Sequence, residues 1–316
     1  MTQLRDSANV NPLQAFSDSI ASTVEGVGAS TVAVRGRGRH ALGCALVWRP
    51  GILVTAAHVF GRAPATASVI AAQQAAADLA LVGTDSPTDL AVFRLPDEAL
   101  PAVRISNSAG ARAGQLAILV GRSQAADVTA SVSVIHRVSG PWQTWLGGHI
   151  DRLIRLDTGL HDGMSGAPVA DAAGQVFGMA TSALSRNDGI VVPESTISRV
   201  VDELLARGHV ARAFLGISAQ PVSVVNVPSA ASGSRDGGAG LLITSMLSGG
   251  PAAQAGLLVG DIVVDVGEHR AASVPELRDA LAGNIGKSVR VSLIRGGTPA
   301  EVDVMVGQWP GEARAC

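Results

Sequence analysis

The chain has 316 residues, of which 47% are hydrophobic and 16% charged, and its formal net charge is −2. This length and apolar content suit two or three domains with substantial cores and exclude a wholly disordered chain. The near-neutral charge gives no electrostatic reason to expect nucleic acid or an anionic membrane as a partner. With 37 glycines, 15 prolines and no tyrosine, the composition favours many short strands whose cores are built from small aliphatic side chains.

Apolar residues at positions 13, 16, 20 and 24 have helical spacing, which predicts a short helix within an N-terminal segment, residues 1–30. These first residues lack the basic start and apolar core of a signal peptide, and no apolar run reaches the roughly eighteen residues of a membrane span. We therefore expect a cytoplasmic protein without a membrane span. The alternative is the cell envelope, if a signal or anchor precedes this sequence.

From residue 31 to about residue 192, short apolar runs alternate with turn signals, which is typical of an all-β domain. Cys44 lies within one of these runs, and the second cysteine, Cys316, ends the chain. Their spacing predicts neither a disulfide nor a metal site, so we expect no metal and no cofactor.

Three residue types that can form a hydrolytic site occur in a suggestive order. His58 follows an apolar run at the point where the strand is expected to end, and Asp89 begins a later strand. A carboxylate beside an imidazole fixes its tautomer, so that the other ring nitrogen can take a proton. Asp78 is a rival for this role, because its sequence context mimics that of Asp89.

Ser165 lies between glycines in a stretch that follows another apolar run. A serine hydroxyl needs a nearby base and a cradle of N–H groups to act as a nucleophile. The N–H groups of Gly163 and Ser165 are suited to form such an oxyanion hole, because glycine leaves the backbone free to turn. The order His58, Asp89, Ser165 is the chymotrypsin order.

The segments Thr55-Ala-Ala-His58, Thr88-Asp-Leu-Ala-Val92 and Asp162-Gly-Met-Ser-Gly-Ala-Pro168 resemble those of the trypsin-like proteases of the HtrA (high-temperature-requirement) family. The resemblance implies a chymotrypsin-like double β-barrel for residues 31–208. It also implies that His58 is the general base, Asp89 its orienting partner and Ser165 the nucleophile. In this family the N-terminal segment takes part in trimer contacts, so a homotrimer is an expectation, beside the alternative of a helix that caps its own subunit.

The sequence departs from the family pattern at two positions. Met164 stands where the family usually has Asn or Asp, and Ala167 stands where it usually has Gly. The added β-carbon of Ala167 suggests a shifted or conditionally formed oxyanion hole. The strand after the serine is expected to line the specificity pocket with Met179, Ala180, Thr181 and Ser182. Because that strand carries no acidic residue, we expect an apolar residue of modest size before the scissile bond.

A second domain is predicted after the helix at residues 193–208. The stretch Pro251-Ala-Ala-Gln-Ala-Gly-Leu257 and its surroundings resemble the PDZ domain of HtrA proteases, an α+β fold expected here over residues 209–308, with a tail at 309–316. A peptide would add as a strand beside a helix that starts near Ser273. The groove residues implied by this resemblance are Phe214, Leu215, Gly216, Ile217, Leu277 and Leu281.

These observations predict a serine endopeptidase that acts on unfolded or damaged protein and recognises C-terminal or extended peptides at its PDZ domain. Two alternatives stay open at this stage. One is a scaffold that holds peptides without cleaving them, motivated by Met164 and Ala167, and the other is a processing protease with a single substrate.

Overall fold

A computed structural model describes residues 11–36, 42–61, 66–70, 77–95, 100–123, 127–224 and 238–309, without the side chains of residues 66–70, 77 and 78. Contacts within the chain divide it into two units, residues 1–210 and residues 211–316. The predicted limits of the domains, 31–208 and 209–308, remain predictions. Among the described residues, no helix is both long enough and apolar enough to cross a bilayer.

The first unit begins with helix α1 (Pro12–Gly28) and a closed six-stranded barrel, in the order β1-β2-β3-β6-β5-β4. Asn11 caps the helix by accepting a hydrogen bond from the N–H of Leu13, and a proline at the first helical position suits that end. The strands of the barrel are β1 (Thr31–Arg35), β2 (Leu42–Arg49), β3 (Ile52–Ala56), β4 (Thr66–Ile70), β5 (Ala77–Asp85) and β6 (Leu90–Arg94).

A second closed barrel follows, in the order β11-β14-β13-β12-β7-β8, with a two-stranded hairpin between β8 and β11. The predicted double barrel is thereby confirmed. Its strands are β7 (Leu116–Arg122), β8 (Val128–Ser139), β9 (Trp142–Gln143), β10 (His149–Ile150), β11 (Leu153–Leu156), β12 (Pro168–Ala170), β13 (Val176–Thr181) and β14 (Ile190–Pro193), of which β9 and β10 form the hairpin.

Helix α2 (Glu194–Arg207) ends the first unit and confirms the helix predicted there. Its apolar face buries Ile197, Val200, Val201 and Leu204 in a core cluster that contains residues of both barrels. Gly208 ends the helix in the left-handed conformation, and its N–H donates to the carbonyl of Leu204 at 2.8 Å.

The second unit is a β-sheet with two helices. The main sheet has the order β16-β17-β18-β20-β21, and Leu277 and Leu281 lie in its core. Its elements are β15 (Ala213–Phe214), β16 (Ile217–Val224), β17 (Gly238–Met246), α3 (Pro251–Gln254), β18 (Ile262–Val266), β19 (His269–Arg270), α4 (Val274–Leu281), β20 (Ser288–Arg295), β21 (Thr298–Met305) and β22 (Gly307–Gln308).

Trp309 was expected in a tail, but it is ordered. Strand β22 pairs with β15, the N–H of Trp309 donates to the carbonyl of Arg212 at 2.8 Å, and its ring meets Phe214 edge to face at 4.7 Å. An aromatic pair of this geometry stabilises by about 1 kcal/mol beyond the area it buries. The rest of the predicted tail lies outside the described residues.

Candidate active site

His58 and Asp89 meet where two strands of the first barrel end and begin. Strand β3 stops at Ala56, and a short 3-10 helix carries His58. The His58 N–H donates to Oδ1 of Asp89 at 2.8 Å, and Nδ1 of the ring lies 2.8 Å from Oδ2. Because a carboxylate only accepts hydrogen bonds, Nδ1 carries the proton and Nε2 is left as the acceptor.

Asp89 is held in an unusual backbone conformation. Its φ of 58° is left-handed, the only such value for a non-glycine residue in the described part of the chain. Its side chain is 3% exposed, and the hydroxyl of Thr181 donates to Oδ2 at 2.5 Å. The buried carboxylate is therefore hydrogen-bonded from both barrels, as a buried polar group requires. The side chain of the rival Asp78 lies outside the described residues.

Ser165 lies in the turn before β12, on the second barrel. The residue is 7% exposed, and its Oγ lies 3.0 Å from Oγ of Ser182 and 3.4 Å from the Ser182 N–H. Within the described residues, the Ser165 hydroxyl makes no hydrogen bond to His58. The structure thus joins His58 to Asp89 and leaves Ser165 paired with the strand that follows it. The catalytic roles of the three residues remain predictions.

The loop before Ser165 supplies the expected N–H groups. Gly163 has a φ of +81°, and a β-carbon placed there would meet nothing within 4 Å. Glycine is favoured at this position by its backbone conformation and not by lack of space. Neither Gly163 nor Ser165 donates its N–H to another group in the described part of the chain, so both are available to an oxyanion.

Cys44 of β2 contacts this loop from the first barrel. Its N–H donates to the carbonyl of Ser165 at 2.8 Å, and its thiol donates to the carbonyl of Gly163 at 3.1 Å. Burial raises the pKa of the thiol to about 11, so the sulfur stays protonated at neutral pH. Sequence reasoning missed this contact, because a cysteine inside an apolar strand gives no sign of its partner.

The two departures from the family pattern are both buried. Met164 belongs to the core of the second barrel, where its sulfur lies 3.8 Å from the hydroxyl of Thr129. Ala167 is fully buried in the same core, and it pairs through the backbone with Ala180.

The four residues predicted to line the specificity pocket differ in their surroundings. Met179 is buried in a core cluster that contains residues of both barrels, and Ala180 is buried in the core of the second. Thr181 contacts Asp89, and Ser182 is the exposed partner of Ser165. The contact between Thr181 and Asp89 was not foreseen, and its only signal was a hydroxyl at the end of an apolar strand. The role of the four predicted pocket residues in substrate selection remains a prediction.

A loop between β9 and β10 contacts the turn that precedes Asp89. The hydroxyl of Thr144 donates to the carbonyl of Pro87 at 2.7 Å, and Trp142 packs against the core. Trp145, in contrast, is 76% exposed. Of these two tryptophans, the structure packs only Trp142 against the core.

In the second unit, β16 pairs only with β17 among the described strands, so its other edge is open. Leu215 is buried and accepts a hydrogen bond from Ala252, while Ile217 and Val274 are partly buried beside the core. Ser273 caps α4 as the sequence predicted, with its hydroxyl accepting from the N–H of Glu276 at 3.3 Å. An open edge beside a helix suits the addition of a peptide strand.

Comparison with known proteins matches both units. Residues 43–179 match the family model for a trypsin-like peptidase domain, and residues 213–306 match the model for a PDZ domain. A protein named "Probable periplasmic serine endoprotease DegP-like" from Chlamydia trachomatis is 32% identical over 238 residues, which are 73% of this chain and 47% of that protein. A protein of the same name from Pseudomonas savastanoi is 30% identical over 246 residues, which are 74% of this chain and 49% of that protein. The chain thus spans about half the length of these relatives.

Solved structures with the same fold include "HtrA-type protease AlgW with decapeptide", with a TM-score of 0.73 and 23% identity over 92% of this chain and 99% of that one. The serine endoprotease from Yersinia pestis has a TM-score of 0.71 and 24% identity over 92% of this chain and 98% of that one. At these identities the likeness shows the fold. The names of the relatives correct the expected location: the prediction of a cytoplasmic protein is wrong, because proteins named periplasmic point to the cell envelope.

Proposed function

On the premise that this chain belongs with the HtrA-like serine proteases, whose trypsin-like peptidase domain and PDZ domain it carries, we propose that it is a serine endopeptidase acting on unfolded or damaged proteins. The observation that carries the proposal is the pair of hydrogen bonds from His58 to the buried Asp89. These bonds leave Nε2 of His58 free to accept a proton. Thr181, which donates to Asp89, precedes Ser182, the hydrogen-bond partner of Ser165, and this supports a common site.

The reaction follows from the roles that these groups can take. Ser165 turns from Ser182 to His58, its Oγ attacks the peptide carbonyl carbon, and its proton passes to Nε2 of His58. The N–H groups of Gly163 and Ser165 bind the oxyanion. The proton then moves from His58 to the leaving amine as the carbon–nitrogen bond breaks, and water hydrolyses the acyl-enzyme by the same steps. Asp89 keeps the ring oriented and stabilises its charged form.

Substrate selection is assigned to the end of β13 and to the second unit. The strand carries no acidic side chain, so Met179, Ala180, Thr181 and Ser182 favour a modest apolar residue before the scissile bond. The open edge of β16 and the loop of Phe214, Leu215, Gly216 and Ile217 would receive a C-terminal or extended peptide beside α4, where Leu277 and Leu281 support the helix from the core.

The location and assembly belong to the same proposal. The names of the relatives support a place in the cell envelope. A homotrimer is supported by α1, which exposes Leu13 and Phe16 to 77% and 51%. Large apolar side chains that are exposed side by side mark an interaction surface.

Digestion of unfolded casein tests the proposed function. The wild-type chain should cut casein at many sites, and the Ser165→Ala variant should cut it at none, as read by mass spectrometry of the products. Equal fragment patterns from both chains would leave only the peptide-holding scaffold, which the names of the relatives do not support. Cleavage at one or a few sites, without general degradation, would instead favour a processing protease.

A further inference from the structure

Resting on the proposed function, we infer that Cys44 is a positioning residue that holds the oxyanion loop in its active shape. The oxyanion loop is defined here as residues 161–166. Cys44 lies on β2 of the first barrel, whereas the loop belongs to the second barrel, so the contact ties the two barrels together at the reaction centre.

The first step of the argument is how the loop is held. Inside the loop, the N–H of Met164 donates to the carbonyl of His161 at 3.0 Å, which closes a turn around Gly163. The carbonyls of Gly163 and Ser165 instead point to Cys44, which reaches them with its thiol at 3.1 Å and its N–H at 2.8 Å. The two carbonyls lie on either side of the peptide group that carries the Ser165 N–H, and Gly163 itself carries the other N–H proposed for the oxyanion hole.

The second step is that the thiol has one partner to which it can donate well. The N–H of Arg122 donates to the Cys44 sulfur at 3.3 Å, and the carbonyl of Arg122 lies at 3.9 Å, farther than that of Gly163. The raised pKa keeps the single S–H proton in place at neutral pH. The proton is therefore directed to Gly163.

The third step is that no side chain in the loop replaces this contact. The residue before Ser165 is Met164, whose thioether accepts hydrogen bonds weakly and donates none. Its side chain is buried in the core of the second barrel. Gly166 is also fixed by Cys44, because a β-carbon at Gly166 would overlap the Cys44 carbonyl oxygen.

The oxyanion forms after substrate binding, so a loosened loop should lower kcat and leave KM nearly unchanged. We expect Cys44→Ala to lower kcat about five- to tenfold, the effect of losing one neutral hydrogen bond to the loop. Cys44→Ser keeps a donor and should stay within about twofold of the wild type. Val47→Ala is the matched control: it truncates a buried side chain of the same strand, far from the loop, and should lower the melting temperature without changing kcat.

Kinetics on a peptide taken from a casein cleavage site are measured together with hydrogen–deuterium exchange of the oxyanion loop in the full chain. Cys44→Ala should speed exchange in the loop, and Cys44→Ser should not. The inference is overturned if Cys44→Ala keeps full kcat and unchanged loop exchange, or if Cys44→Ser loses as much as Cys44→Ala in both measurements. If the wild-type chain cuts no peptide, the proposed function fails, and the exchange data alone still decide whether Cys44 holds the loop.

Discussion

At the scale of single residues, the site differs from the catalytic triad that we propose in one hydrogen bond, the one between Ser165 and His58. The His58–Asp89 pair is formed, but the Ser165 hydroxyl lies 3.0 Å from that of Ser182. In the mechanism that we propose, attack on a substrate requires Ser165 to exchange this partner for Nε2 of His58. A neutral hydrogen bond contributes about 1 kcal/mol net, so breaking the bond to the Ser182 hydroxyl has a small free-energy cost. A single substitution at Ser182 removes this cost.

The Ser182→Ala variant is expected to be more reactive than the wild type. Loss of the hydroxyl partner frees Ser165 to pair with His58, so acylation by a fluorophosphonate probe should become about three- to tenfold faster. Ser185→Ala serves as the control, because Ser185 lies nearby but bonds to Asp188 instead of Ser165. Slower or unchanged labelling of Ser182→Ala would contradict the expectation.

At the scale of elements, the contribution of an ion pair to folding stability depends on how deeply it is buried. In the second unit, Arg295 at the end of β20 forms two hydrogen bonds to Asp261, at 2.9 and 2.7 Å, and a third to the carbonyl of Gly256. Asp261 is 2% exposed, and the hydrogen bonds from Arg295 lower its pKa. Arg290 on the same strand pairs with Asp303, but both side chains are exposed.

Replacing Arg295 by Gln should therefore cost more stability than the same change at Arg290. We expect a clear loss of stability for Arg295→Gln, because a buried carboxylate loses its bidentate partner. We expect little or no loss for Arg290→Gln, because water screens an exposed ion pair. Calorimetry of the full chain should show the difference as a drop of roughly 4 °C or more in one transition for Arg295→Gln alone.

The same pair predicts a dependence on pH. Because the folded pKa of Asp261 lies below its ordinary value, the pair stabilises the unit at pH above about 4, and this stabilisation is lost as the pH falls through the lower folded pKa. The melting temperature of Arg295→Gln should therefore fall less steeply below pH 4 than that of the wild type. Parallel curves would show that the pair carries no such linkage.

At the scale of the whole molecule, cleavage and peptide recognition are assigned to different units. A peptide tail bound at β16 would either raise the local concentration of its own chain at Ser165 or shift the peptidase unit between inactive and active arrangements. In the homotrimer that we propose, the exposed Leu13 and Phe16 on α1 would form the contact between copies of the chain.

The assembly is tested by sedimentation of the full chain. The wild type is expected to sediment as three copies, and the double variant Leu13→Ser, Phe16→Ser as one, because it removes the apolar contact surface. Glu25→Ser on the same helix is the control and should leave the assembly intact, since it removes no apolar surface. A wild-type chain that sediments as a single copy would refute the trimer.

The sequence predicted what depends on local pattern and chain order. Short apolar runs predicted an all-β domain, and one helical face predicted helix α2. The double barrel was implied by the resemblance to the HtrA proteases, and all three are found. The hydrogen bonds of Cys44 to the oxyanion loop and of Ser165 to Ser182 could not be predicted. The first depends on how the two closed barrels pack and joins residues 119 positions apart. The second depends on where the chain after β13 passes the turn of Ser165 within the second barrel.

The left-handed backbone of Asp89 restricts which sequences this position can accept. Asn and Gly tolerate that conformation, whereas most other residues, alanine included, would have to be strained to fit it. An alanine scan would therefore mix two losses at this position, that of the carboxylate and that of the local geometry, and only the amide isostere Asn separates them. Few natural substitutions at position 89 would keep this backbone conformation. The left-handed turn therefore helps to retain an aspartate at this position.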